Sequence, residues 1–270
     1  RFGSVEEIQA CLRSPVLTVV GRLDALAETK GIDAVHSHIL PQDPQTEPFR
    51  TLRTAISLSV EHSARLVISS AEPGDGKSTT TVNLGTVFAQ SGKKTLIIDA
   101  DMRRPGLTDL LNLKGPKGLS TVLRDTAEIV ASAEANLKCG ILENLDVLPA
   151  GPRPVNPGEL LVGARFSELL AWAETRYDQI LIDSSPGIVS DTAVIGRLVD
   201  GLVLVVWPER NRRRVLHRTI DNLRSFGVDL VGFVLNRVEH SKDGYGYGYG
   251  YGYGYGYGYG YGSEPDEEDF

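Results

Sequence analysis

The stretch "LVISSAEPGDGKSTTTVNLG", residues 66–85, decides the fold. Its apolar run ends at Ser70, and a small residue, four further residues and then Gly76, Lys77 and Ser78 follow. Glycines let backbone N–H groups turn towards a phosphate, and the next helix directs the positive end of its dipole at it. Lys77 is placed to reach the β- and γ-phosphates, and Ser78 to ligate Mg²⁺. The motif predicts a phosphate-binding loop with nucleotide contacts from Gly74, Asp75, Gly76, Lys77, Ser78 and Thr79.

Short apolar runs alternate with helix-sized amphipathic stretches from about residue 65 to residue 237. The runs are "RLVISS", "KTLIIDAD", "LDVLPAG", "YDQILIDSSP", "GLVLVVWP" and "VDLVGFVLN". Continuous apolar runs of this length are typical of parallel strands covered on both faces. We therefore expect an α/β fold of the P-loop NTPase type, with a doubly wound, mainly parallel sheet, flanking helices and a disordered C-terminal tail. Ligands of such sheets bind at the carboxyl ends of the strands.

The pattern divides the chain into three parts. Residues 1–45 hold a helix that leads into an edge strand, and a polar, proline-containing linker covers residues 29–46. Residues 46–240 form the predicted P-loop domain, which opens on a helix with Thr46 as N-cap, Glu47 in the first turn and Pro48 beside it. Residues 241–270 form a flexible tail of alternating tyrosine and glycine followed by acidic residues.

Composition excludes several classes of protein. Apolar residues make up 41% of the chain, which is enough for a sizeable core, and no stretch approaches the ~20 apolar residues that a membrane-spanning helix needs. The net charge of −7 is concentrated in the acidic end at residues 264–269, so nothing indicates a nucleic-acid surface. Cys11 and Cys139 lack metal-ligand spacing and fit a reducing compartment. Because the chain opens on Arg1 and its only methionine is Met102, we expect its natural start, with any membrane anchor, to lie upstream.

Acidic residues close two of the predicted strands. Asp99 and Asp101 follow the second strand beside the phosphate loop, where one carboxylate could take a proton from an attacking hydroxyl and the other could hold a water on Mg²⁺. Either could instead cap the next helix. Asp183 ends the apolar run "ILID" and should accept hydrogen bonds from Mg²⁺-bound water, since a buried acid needs a cation or donors. Asn236, after "LVGFVL", is placed to contact an adenine edge or to form a turn.

The run "YGYGYGYGYGYGYGYGYG", residues 245–262, cannot form a core, because half of its positions have no side chain and glycine loses the most backbone entropy on ordering. On composition alone it is a low-complexity linker or a sticky aromatic segment.

Together these features resemble the bacterial tyrosine kinases, or BY-kinases, of capsule and exopolysaccharide production, which use a P-loop ATPase fold. The resemblance rests on "AEPGDGKST", "LIIDADMRRP", "ILIDSSP", "EPFRTLR" and the terminal tyrosines, and it extends back to residues 5–24, which resemble the juxtamembrane segment of the fused forms. It implies that ATP, ADP and Mg²⁺ bind the domain. It assigns catalysis to Lys77, Asp99 as the base, Asp101 and Asp183, and the metal to Ser78, Asp101 and Asp183.

The same resemblance implies how the chain assembles. Glu47, Arg50 and Arg53 match the family's subunit-interface motif, and their spacing of three places them on one helical face; without the resemblance this would be a solvated charged face. The family implies a homo-oligomer, a ring of eight, at the cytoplasmic face of the bacterial inner membrane. Its implied partners are a membrane-embedded polysaccharide co-polymerase region, fused upstream or separate, and a phosphotyrosine phosphatase.

In this family the C-terminal tyrosines are the substrates, phosphorylated between subunits. Tyr261 lies 24 residues beyond Arg237, a maximum reach of roughly 80 Å at ~3.3 Å per residue, or roughly 25 to 30 Å as a random coil. The phosphoacceptors implied are Tyr245, Tyr247, Tyr249, Tyr251, Tyr253, Tyr255, Tyr257, Tyr259 and Tyr261.

Two other functions fit parts of the sequence. A partition- or division-type P-loop ATPase would share the fold, but such proteins usually carry a further lysine where this chain has Glu72, and they lack a tyrosine tail. A nucleotide-gated assembly module of a polysaccharide export machine would fit every feature, with phosphorylation acting as a brake on assembly.

Overall fold

A computed structural model describes residues 8–9, 13–59, 64–187 and 190–239. Its centre is a sheet whose strands are, in chain order, β1 (Val16–Gly21), β2 (Arg65–Ser70), β3 (Thr95–Asp99), β4 (Lys138–Leu142), β5 (Leu145–Leu148), β6 (Gln179–Asp183), β7 (Gly201–Val206) and β8 (Leu230–Val238). Across the sheet their order is β1-β8-β7-β2-β6-β3-β5-β4. Every pairing is parallel except that of β4 with β5. This is the expected doubly wound α/β sheet.

Helices connect the strands and cover both faces of the sheet. They are α1 (His36–Ile39), α2 (Glu47–Ser59), α3 (Lys77–Gln90), α4 (Gly106–Leu110), α5 (Leu119–Arg124), α6 (Ile129–Asn136), α7 (Pro157–Val162), α8 (Ala164–Glu174), α9 (Ser190–Gly196) and α10 (Arg213–Ser225). Alternate residues of each central strand enter opposite cores, so that Leu66 and Ile68 pack on one face and Val67 on the other. Among the described residues, no helix has the length and apolar character needed to span a membrane.

The six apolar runs all contain strands, as predicted, and the edge strand expected before residue 29 is β1, which pairs with β8. Strand β4 was not predicted; it is exposed over its first three residues and carries no apolar run. Its pairing with β5 arises from the chain reversal between them.

The expected linker at residues 29–46 is wrong, because this segment is folded against the domain. It contains a 3₁₀ turn, Ile32–Ala34, and helix α1, and both Val35 and Ser37 are buried. The side chain of Asn83 on α3 accepts a hydrogen bond from the backbone N–H of Ser37 at 2.8 Å. With β1 in the sheet as well, the described part of residues 1–45 belongs to the same folded unit. Thr46 donates its hydroxyl to the carbonyl of Leu40 at 2.9 Å, which is not a helix-capping contact.

Candidate active site

The phosphate-binding loop joins β2 to α3 in the middle of the sheet. Gly74 and Gly76 have φ angles of 87° and 100°, a left-handed conformation that only glycine adopts without strain. At Gly76 space is limiting too, because a Cβ there would lie 2.1 Å from Nδ2 of Asn236. Helix α3 begins at Lys77, so its N-terminal dipole points into the loop as predicted.

Side chains from three parts of the chain contact one another around Lys77. Its Nζ lies 3.0 Å from Oδ2 of Asp101 and 3.5 Å from Oδ2 of Asp183. The hydroxyl of Ser78 donates to the same Asp183 oxygen at 2.6 Å. The four residues predicted from separate motifs therefore meet at the carboxyl ends of β2, β3 and β6, where an α/β sheet binds ligands.

Burial and charge shift the protonation of this cluster. Burial lowers the pKa of Lys77, but Asp183 and Asp101 raise it, and the net shift is upward. Burial raises the pKa of Asp183 against the opposing effect of Lys77. Because Lys77 stays charged and both acids are buried, the cluster keeps a fixed cation beside carboxylates that lack solvent.

Asp99 occupies a different environment from Asp101. It is fully buried beside Asp183 on the neighbouring strand, and its Oδ2 accepts hydrogen bonds from the backbone N–H and the hydroxyl of Thr108 at 2.8 and 2.7 Å. Its Oδ1 accepts from the backbone N–H of Asp101 at 3.1 Å. Burial, followed by the charge of Asp183, raises the pKa of Asp99 to about 8.

A cavity of about 550 Å³ lies above the phosphate loop. Its lining includes six of the predicted nucleotide-binding and catalytic residues, namely Gly74, Gly76, Lys77, Ser78, Thr79 and Asp101. Asp99, Asp183 and Asn236 do not line it. For Asp99 this means that the carboxylate predicted as the base does not face the space where an acceptor would enter, whereas Asp101 does. The assignment of the base to Asp99 remains a prediction without support from this geometry.

Asn236 and Asp75 contact the phosphate loop on the side away from the cavity. Asn236 donates its amide to the backbone carbonyl of Asp75 at 2.7 Å, so its predicted contact with adenine also remains a prediction that the geometry does not support. The side chain of Asp75 is fully buried and turns away from the cavity. Burial raises the pKa of Asp75 to about 6, against hydrogen bonds from Glu72 and Asn211 and the charge of Arg210.

Three arginines on the cavity wall were missed from the sequence. Arg103 and Arg104 follow Asp101, and Arg237 follows Asn236. Arg103 also forms an ion pair with the buried Asp191, with 2.9 Å between Nε and Oδ2. Basic residues within three positions of Asp101 and Asn236 were a usable signal, because cations at the mouth of a phosphate site favour anionic ligands.

The oxygens at this site suit Mg²⁺. Ser78, Asp101 and Asp183 supply one hydroxyl and two carboxylates, and Mg²⁺ takes oxygen ligands. Within the described residues, no three acids or histidines come close enough to hold a metal by themselves. Mg²⁺ is usually bound through one or two protein oxygens, waters and the phosphates of a nucleotide.

The predicted interface residues have partners within their own chain. Arg50 pairs with Glu47 at 3.0 Å and also donates to the carbonyl of Pro41. Arg53 donates to the carbonyl of Val87 on α3 at 2.9 Å. Glu47 remains 63% exposed, and any contact with a second subunit would have to exchange or extend these bonds.

Residues 64–210 match the family model described as AAA domain. Over 211 residues the chain is 37% identical to the tyrosine-protein kinase YwqD of Bacillus subtilis, covering 76% of this chain and 87% of that one. It is 34% identical over 208 residues to the tyrosine-protein kinase wzc of Salmonella typhimurium, covering 76% of this chain but 28% of that one. The kinase domain of the Escherichia coli tyrosine kinase ETK superimposes with a TM-score of 0.74 and 30% identity, over 88% of this chain and 96% of that domain. The chain therefore belongs to the family of bacterial tyrosine-protein kinases, as its motifs predicted.

Proposed function

We propose that this chain transfers the γ-phosphoryl group of ATP to the tyrosines of its own C-terminal cluster, Tyr245 to Tyr261, in a neighbouring copy. The observation that carries the proposal is the cluster of Lys77, Ser78, Asp101 and Asp183, of which the first three line one cavity. The last strand also ends beside that cavity, because Arg237 lines it and β8 ends at Val238. The tyrosines themselves lie outside the described residues.

In the proposed reaction the phenol oxygen of a tail tyrosine bonds to the γ-phosphorus, the bond from that phosphorus to the β–γ bridging oxygen breaks, and ADP leaves. Lys77 and the N-terminus of α3 stabilise the charge on the phosphates. Asp101 faces the cavity and is the carboxylate best placed to accept the phenol proton. Mg²⁺, held by Ser78 and Asp183 with Asp101 alongside, would neutralise phosphate charge when bound.

The family resemblance extends the proposal to assembly. Unmodified chains form a ring of eight through the face of α2 that carries Glu47, Arg50 and Arg53. A membrane-embedded polysaccharide co-polymerase region, fused or separate, anchors the ring at the cytoplasmic face of the inner membrane. About −1.5 to −2 charges per phosphotyrosine then drive neighbours apart, and a phosphatase resets the tail. Sedimentation before and after phosphorylation tests this: a mass near eight times 29.3 kDa should be lost, and a ring that persists at full phosphorylation would exclude the idea.

The proposal is tested by intact mass after incubation with ATP and Mg²⁺. We expect steps of about 80 Da, with at most nine on the tail tyrosines. Lys77→Met and a variant with nine tail phenylalanines should show none. Tyr177→Phe is the matched control and should keep the full set, because Tyr177 donates its hydroxyl to Asp146 at 2.7 Å. It lies two residues before β6, at the opposite end of that strand from the site.

Transfer between copies is tested by mixing two chains, neither of which can phosphorylate its own tail. A Lys77→Met chain with an intact tail should gain phosphate from an active chain that has the phenylalanine tail. Phosphate on neither chain, with ATP still hydrolysed by the parent, would favour the assembly module or the partition-type ATPase. Glu72 already disfavours the latter, because its carboxylate accepts a hydrogen bond from Asn211 at the position of the expected lysine.

A further inference from the structure

A buried polar cluster behind the phosphate loop involves the turn that follows β7. Asn211, in that turn, is fully buried. Its Nδ2 donates to Oε2 of Glu72 at 2.7 Å and to Oδ1 of Asp75 at 3.1 Å, so both amide hydrogens have an acceptor on the phosphate loop. Its Oδ1 accepts from the backbone N–H of Trp207 at 2.8 Å. Every hydrogen-bonding group of the side chain is therefore used.

The turn itself is rigidly placed. The backbone N–H of Asn211 donates to the carbonyl of Trp207 at 2.8 Å, which closes the turn directly after the buried strand β7. The guanidinium of Arg237, on the cavity wall, lies 4.6 Å from the ring centroid of Trp207. Asn211 thus presents its amide to the loop from a fixed support next to the cavity.

Asp75 depends on this support. Its Oδ2 accepts from the backbone N–H of Glu72 at 2.7 Å, which closes the four-residue turn at the start of the loop. Its Oδ1 has Asn211 at 3.1 Å and Arg210 at 3.6 Å, and Arg210 is partly exposed. A buried carboxylate that loses a donor costs free energy, and the loop can avoid that cost only by changing shape.

We propose that Asn211 is a positioning residue for the kinase reaction, which holds the phosphate loop in its nucleotide-binding shape by bridging Glu72 and Asp75. It contacts no reacting atom and acts through the backbone of residues 72–76, in which the N–H groups of residues 74–76 would face the phosphates. The inference rests on the proposed use of this loop for ATP. Its signature is a weaker affinity for ATP with little change in the rate at saturating ATP.

The test measures the dissociation constant for ATP, the KM for ATP and the kcat for tail phosphorylation. We expect Asn211→Ala to raise the dissociation constant and the KM at least tenfold while kcat stays within about threefold of the parent. Asn211→Asp should be worse, because it adds a third carboxylate beside Glu72 and Asp75. Asn222→Ala, at an exposed asparagine on α10, is the matched control and should match the parent.

A double variant that exchanges the carboxylate and the amide between positions 75 and 211 distinguishes a positioning role from a general loss of stability. Asp75→Asn combined with Asn211→Asp restores one donor and one acceptor between the two positions, while Glu72, which is partly exposed, can turn to water. We expect this double variant to regain most of the ATP affinity that Asn211→Asp loses. If Asn211→Ala does not fold at the assay temperature, the ATP affinity of the double variant compared with that of Asn211→Asp still tests the inference.

The inference is overturned if Asn211→Ala leaves the dissociation constant within twofold of the parent, or if the double variant binds ATP no better than Asn211→Asp. An equal loss in Asn222→Ala would also overturn it. A parent chain that binds no ATP would instead refute the proposed function, so the two failures are distinguishable.

Discussion

The ammonium group of Lys77 lies 3.0 Å from Oδ2 of Asp101. Asp101 is 24 positions further along the chain, two residues beyond the end of β3. The contact fixes a cation from the phosphate loop against the carboxylate that faces the cavity. Because Asp183 is also within 3.5 Å of the same nitrogen, Lys77 compensates two buried acids and serves stability as well as chemistry.

Replacing Lys77 with Met should destabilise the nucleotide-free protein by about 3 kcal/mol at pH 8, because it leaves two buried carboxylates without their cation. The loss should be smaller at pH 5, because removing Lys77 takes away the charge that opposes the raised pKa of Asp183, and protonation of Asp183 then removes buried charge. Urea unfolding at the two pH values measures this. Lys114→Met, at an exposed lysine paired with Asp109, is the control and should change stability by less than about 1 kcal/mol at either pH. Equal losses for the two variants would contradict the prediction.

Asp99, at the end of β3, and Asp101, two residues later, should differ in mutant kinetics. Asp101→Asn should lower the rate of phosphate transfer at saturating ATP by about 100-fold or more, since its carboxylate faces the cavity and general-base groups contribute this much. Asp99→Asn should lower the rate less than about tenfold and should lower the melting temperature, because it disturbs the hydrogen bonds of Thr108. Rates of transfer and melting curves are compared. A larger kinetic loss in Asp99→Asn at an unchanged melting temperature would restore Asp99 as the base.

Gly76→Ala should destabilise the protein by more than about 2 kcal/mol, because the new Cβ would lie 2.1 Å from Nδ2 of Asn236 in addition to the cost of a positive φ. Gly92→Ala is the matched control: its φ of 86° is similar, and its Cβ would meet nothing within 4 Å. It should lose only about 1 to 2 kcal/mol. Denaturant unfolding of both variants measures the difference in the free energy of unfolding. Equal losses would mean that Asn236 imposes no steric constraint at position 76.

The buried carboxylate of Asp75 should make stability depend on pH. Its pKa of about 6 in the folded protein exceeds the value in the unfolded chain, so the folded state binds more protons between about pH 4 and 6 and its stability falls as pH rises through that interval. Relative to Asp75→Asn, which cannot titrate, the parent should lose roughly 2 to 3 kcal/mol between pH 4 and 7. Thermal unfolding without nucleotide measures this, and a constant difference across the interval would show an ordinary pKa for Asp75.

Sequence alone determined the elements and the chemistry that are local in the chain. The phosphate loop is a contiguous motif, its glycines satisfy a backbone requirement, and the apolar runs place six strands and the acids that end them. The sequence therefore predicted that Lys77, Ser78, Asp101 and Asp183 belong to one site, because the ends of parallel strands share one edge of a sheet.

Tertiary structure decided which of those side chains face the cavity and which support it. Asp99 and Asp101 are two residues apart, yet the hydroxyl and N–H of Thr108 hold Asp99 in the core while Asp101 meets Lys77. Asn236 and Asn211 turn towards the loop because β7 lies beside β2 and β8 lies beside β7. Residues 29–46 fold because α1 packs on α3, where Asn83 accepts a hydrogen bond from Ser37. Each outcome depends on contacts between residues far apart in the chain, and a local sequence pattern does not determine which of these partners a side chain contacts.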